Sequence, residues 1–297
     1  MQTTLILLIT AMPLIQAAEA REAETPGGLA IGVITSAEYF TGIPKYMAVT
    51  MRNSGEDQVQ VSSWKISEAY YPMTLVLTSG VKYRTKERDL YRGLIRGEYE
   101  VDDGRSRPIW RPRWTIPPGG TRRELVNAGV PLESLALPEG KYDMDVQLWE
   151  NLHRPLAMVK AMKLNVSKAC EGEPFGILGV TSRGVDDSAA IIGADRLMSV
   201  TNEGVRAEIA LALVVRKCIT TGRIEDIDID AFIPFIAPHF KPDVELYRLE
   251  VLLAQDKQAD AAKLKEWIIK NCPDLEIQVA EAENGDGQLK RLRGGRK

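Results

Sequence analysis

Residues 84–114, RTKERDLYRGLIRGEYEVDDGRSRPIWRPRW, hold the side chains best suited to recognition in this chain. Arginines interleave there with Tyr91, Tyr99, Trp110 and Trp114. Guanidinium groups stack on aromatic faces and bridge anionic groups bidentately, so this mixture suits the capture of a partner surface. Arg92, Arg96, Tyr99, Trp110, Arg111 and Trp114 are the candidate partner-binding residues. The competing reading lays Trp110 and Trp114 over the core and pairs the arginines with Glu98, Glu100, Asp102 and Asp103.

Other constellations carry less chemistry. Glu225, Asp226, Asp228 and Asp230 alternate like the opening of a calcium loop, but Ala231 and Ala237 stand where that loop needs a glycine and a bidentate acid. Their spacing fits acids approaching a helix start. His153 and His239 are the only histidines, and neither has a partner at zinc-motif spacing. Asp143 and Asp145 alternate on the outer face of an expected strand, with no apolar pocket to drive their pKa values apart. The chain has no G-x-S-x-G, no G-x-G-x-x-G and no P-loop, while a triad assembled from separated residues stays open. No catalytic residue, metal ligand or cofactor is assigned.

The frame that must position these groups begins with 297 residues, 44% hydrophobic and 27% charged, which suits about two globular domains. A net charge of -3 gives no global footprint for nucleic acid, and none is expected as a partner. Leu5 to Ile15 is apolar but short for a bilayer, and Ala18-Glu19-Ala20 has the small-x-small form of a signal-peptide cleavage site. The segment lacks the usual Lys or Arg before its apolar run. The expectation is a signal peptide over residues 1–20, a linker over 21–27, and a secreted or periplasmic product without a membrane span. Cys170, Cys218 and Cys272 form no C-x-x-C, and Cys218 within ALALVVRKCI reads as a buried small hydrophobe.

Residues 28–168 read as short strands separated by turns. Met47, Val49 and Met51 share one face before Asn53-Ser54-Gly55, and Met73, Leu75 and Leu77 share another before Ser79-Gly80. Pro117-Pro118-Gly119-Gly120 separates two strands. In LPEGKYDMDVQLW, Tyr142, Met144, Val146 and Leu148 alternate with Lys141, Asp143, Asp145 and Gln147. Tyr142 follows a turn, where its phenol can close a backbone hydrogen bond at the crossover. Val159, Ala161, Leu164 and Val166 are expected core positions. Beyond residue 184 the period becomes helical: NEGVRAEIALALVVRKCITTG is apolar around most of its circumference. Residues 242–275 read as two helices joined near Asp256 to Gln258. Residues 276–297 end in Lys290, Arg291, Arg293, Arg296 and Lys297 and read as a disordered basic tail.

The order MRNSGEDQVQV, IPPGGT, LPEGKYDMDVQL resembles bacterial extracytoplasmic immunoglobulin-like domains, including BsuPI-type proteinase-inhibitor and fibronectin type III-like sandwiches. That resemblance implies an Ig-like antiparallel β-sandwich over 28–168, with a long insertion at about 84–113, and carries no family site residue. Leu252, Leu253, Ala261, Ala262, Leu264, Ile268, Pro273 and VRAEIALAL resemble a tetratricopeptide-like or HEAT-like helical repeat, without a repeat at fixed period. It implies an α-helical domain over 185–275 after a linker at 169–184. The expected fold class is multidomain, all-β then all-α. The expected function is non-catalytic binding of a protein or cell-envelope polymer. A proteinase inhibitor and a hydrolase with an inter-domain site are the alternatives.

Overall fold

Alternation and turn chemistry lay down the strands of this computed structural model, which describes residues 18–24, 28–62, 73–77, 99–102, 105–108, 113–134, 137–151, 154–168, 179–181, 184–185 and 193–289. In chain order the strands are β1 (Ala18–Glu24), β2 (Leu29–Ser36), β3 (Glu38–Thr41), β4 (Tyr46–Asn53), β5 (Val59–Ser62) and β6 (Met73–Leu77). They continue with β7 (Tyr99–Asp102), β8 (Arg105–Pro108), β9 (Arg113–Ile116), β10 (Thr121–Asn127), β11 (Gly140–Asn151), β12 (Arg154–Lys168), β13 (Val180–Thr181) and β14 (Gly184–Val185). The helices are α1 (Gly129–Ser134), α2 (Glu203–Thr220), α3 (Lys241–Ala254), α4 (Gln258–Asn271) and α5 (Glu276–Glu283).

Two four-stranded sheets form, in the orders β1-β2-β4-β10 and β3-β12-β11-β6. The first is antiparallel throughout, whereas β3 runs parallel to β12 in the second. Strict alternation along β4 sends Met47, Val49 and Met51 into one core and Tyr46 and Ala48 into another. The first core is shared with Met144, Val146, Val159, Met162, Leu164 and Val166 of the second sheet. The second is shared with α2 and α3, through residues such as Ile209, Leu213 and Tyr247. The first sheet is therefore covered on both faces.

That arrangement corrects the expected fold class. The chain is a mixed fold of small antiparallel and mixed sheets with a helical C-terminal part, not an all-β Ig-like sandwich followed by a separate all-α domain. The physical reason is that Tyr46, Ala48 and Leu125 lie on a sheet face that shares one continuous apolar core with the helices. Among the described residues no regular helical repeat appears either: between α2 and α3 the chain runs through short 3-10 turns at Ile224–Asp226, Asp230–Phe235 and Pro238–Phe240.

Local signals explain several elements. Asn53 is fully buried and organises its turn, donating from Nδ2 to the carbonyls of Asp57 and Ile116 while Oδ1 accepts from Gly55. Tyr142 donates to the Pro138 carbonyl at 2.8 Å, closing the turn into β11. Opposite Asp145, β12 holds one extra residue, because Met144 pairs with Met162 and Val146 with Val159. This bulge lets both Val159 and Met162 reach the core despite their odd spacing. Asp145, expected on the wet face, is buried there, while Asp143 pairs with Lys163. Asn202 caps α2 by accepting from Gly204 and Val205, and α2 buries Val205, Ile209, Leu211, Leu213, Val214 and Cys218. In residues 276–289, which lack a core pattern in sequence, α5 spans Glu276–Glu283 and Val279, Ala282 and Leu289 are buried.

Candidate functional site

The junction of sheet and helices is polar as well as apolar. Lys45, ahead of β4, is 1% exposed and donates to Glu208 of α2 at 2.8 Å and to the Glu38 carbonyl at 2.7 Å. Two neighbouring arginines of β10 go opposite ways, as alternation requires. Arg122 makes a bidentate pair with Glu281 of α5 at 2.8 and 2.9 Å. Arg123 reaches Asp243 of α3 through Nε at 3.1 Å and through its terminal nitrogen at 2.8 Å, and also donates to the His239 carbonyl. Planar fork geometry makes such pairs directional, so each fixes the angle at which a helix meets β10.

Burial sets the titration of this seam. It pushes the Asp243 carboxyl up, with the adjacent Arg123 opposing the shift. For Arg123, burial works downward, but Asp243 beside it outweighs this and raises the group. His239 is pushed down to about 4, first by burial and then by the nearby charges of Lys45 and Arg123. Its imidazole is therefore neutral at pH 7, and its Nε2 is buried without a hydrogen-bond partner. Chemically, the seam clamps layers together by matched charge.

The candidate binding residues fall elsewhere. Arg92, Arg96, Trp110 and Arg111 lie outside the described residues. Tyr99 opens β7, opposite Pro108 of β8, and Trp114 sits in β9, opposite Val61 of β5. These two therefore belong to different two-stranded ribbons. The β7–β8 register sets Glu100 opposite Arg107 and Asp102 opposite Arg105. Of the histidines, His153 lies outside the described residues. The acids from Glu225 to Asp230 stand beside buried Ile227 and Ile229, and Asp230 pairs with Arg248. Among the described residues, no group of three or more His, Cys, Asp or Glu could hold a metal ion. Cys218 is buried and Cys272 partly so, while Cys170 lies outside the described residues.

Sequence reading missed the seam. Its one signal is TRRELVN, where successive arginines in a strand must point to opposite faces, so a strand covered on both sides buries both. Gln278 and Glu281 carry no comparable local mark.

At the N-terminus, β1 crosses the expected cleavage point. Cleavage after Ala20 keeps the rungs from Arg21–Val33 to Glu24–Ala30 and removes those from Ala18–Ser36 to Ala20–Ile34. Among the described residues, no helix is long and apolar enough to cross a membrane. Fold and seam together define a mixed sheet-and-helix protein with interlocked layers. No protein-family model matches the chain, and no curated protein matches it significantly.

Proposed function

We propose that this protein works by binding: an exported, non-catalytic interaction protein whose residues 84–114 engage a protein or a cell-envelope polymer. The observation that carries the reading is the register of the β7–β8 ribbon. It supplies Arg105 and Arg107 with acids directly across the ladder. Arg92, Arg96 and Arg111 belong to the same stretch of sequence, where Trp110 stands beside Arg111. Residues 78–112 join β6 to β9 and include the β7–β8 ribbon.

The test uses residues 21–297 and a variant carrying Ala at Arg92, Arg96, Trp110 and Trp114. Both are used to capture ligands from the exported fraction of source cells, and the ligand found is then titrated calorimetrically. The expected result is affinity weakened by at least about a hundredfold with the thermal midpoint unchanged. A large fall in the midpoint would mean these side chains cover core and would end the assignment. Equal binding by both proteins would move the site to the helical surface, where Trp267 is 43% exposed. Export is read separately: intact mass in that fraction should begin at Arg21, and retention of residues 1–20 would overturn it.

A further inference from the structure

Among the described residues β10 is an edge strand, with β4 as its one strand neighbour. Such an edge offers unpaired backbone groups to any other strand, and folded proteins cover or blunt it. Here the cover is unusually specific. Gln278 of α5 accepts from the Arg123 N–H at 3.1 Å through Oε1, and donates to the Arg123 carbonyl through Nε2. That is the double exchange of a hydrogen-bonded antiparallel pair, made by a side-chain amide in place of a second strand. Gln288 donates to the same carbonyl at 3.1 Å. The segment bearing Gln288 is itself pinned, because Glu250 accepts from the backbone N–H of Gln288 at 2.7 Å and of Leu289 at 2.9 Å. Gln278, Gln288 and Leu289 are all buried.

We propose that residues 278–289 act as an edge guard, a strap that keeps β10 from pairing with β10 of a second copy of this chain. The sequence of β10 selects that occupant. Antiparallel pairing centred on Arg123 sets Arg122 opposite the partner's Glu124, and Glu124 opposite the partner's Arg122. Opposite charges thus meet at both flanking positions. Arg123 would face its own counterpart, each held by Asp243 within its own copy. The Arg123 N–H and C=O would exchange in that pair the bonds that Gln278 now makes. The strap wins in the intact chain because it is tethered, with a high effective concentration at the edge. This inference is independent of the proposed binding function.

The test compares the intact chain with Gln278→Met, which keeps side-chain volume and removes the amide, and with Gln278→Met in a chain ending at Asp286, which also removes Gln288. Sedimentation equilibrium from dilute to concentrated solution is the readout. Both variants are expected to dimerise at least about tenfold more tightly than the intact chain. Adding Glu124→Gln to Gln278→Met should reverse that gain. Folded variants that associate no more than the intact chain overturn the proposal, as does a gain that Glu124→Gln leaves untouched. Should neither variant fold, hydrogen exchange on the unmodified protein decides. Protection of the Arg123 amide comparable to that of Val49 in β4 supports the guard, and exchange at the rate of an open edge overturns it.

Discussion

Asp243 is 2% exposed and carries the guanidinium of Arg123 on both of its oxygens. Neutralising one member of such a pair strands the other in a poorly solvated place. Asp243→Asn is therefore expected to cost about 3–5 kcal/mol in urea unfolding, whereas exchanging both partners for apolar residues should cost less. His239 gives a pH dependence. Its pKa falls from 6.5 unfolded to about 4 folded, so the unfolded chain binds the proton more tightly. Stability from this group is complete above the unfolded value and is lost as pH falls from 6.5 through 4, by about 3 kcal/mol in total. The slope of stability against pH in that window should flatten in His239→Gln. Because Asp243 is present in both proteins, the comparison removes its contribution.

At the scale of elements, the turn at Gly28 holds two segments together. Gly28 has a φ of +76°, and its carbonyl accepts from Ser54 at 2.7 Å. A Cβ there would stand 3.1 Å from both the Cα and the N of Gly55, backbone atoms with little room to yield. Gly28→Ala is expected to cost about 1–2 kcal/mol from the left-handed conformation alone, read as a lower denaturant midpoint at unchanged slope. An unchanged midpoint would mean the turn re-forms in another conformation. The bulge in β12 shows the same scale at work, since a single inserted residue reassigns which side chains enter the core.

For the whole molecule, the seam and the shared apolar core predict that strands and helices unfold together. A fragment of residues 28–168 would expose Phe40, Ile43, Tyr46, Ala48 and Leu125 and leave Lys45, Arg122 and Arg123 without Glu208, Glu281 and Asp243. It should show no cooperative thermal transition, while the full chain shows a single one across these layers. A cooperative transition of the fragment would mean that the strand region is an independent domain.

Short-range signals in the sequence determined much of the framework. The faces of β4, the Asn53 and Pro117–Gly120 turns, the Tyr142 closure, the extent of α2 and the α3–α4 junction are legible because each rests on neighbours within a few residues. The candidate residues Arg92, Arg96, Tyr99, Trp110, Arg111 and Trp114 rest on composition and on the length of their segment, which state what side chains can do and not where they stand. Only tertiary structure decided that β3 joins β12 in parallel, that helices cover the second face of the first sheet, and that Gln278 closes its edge. These contacts join residues far apart in the chain, such as Lys45 with Glu208 and Arg123 with Gln278. Local periodicity reports how a strand alternates, but the choice of what covers each face is made by the packing of the whole chain.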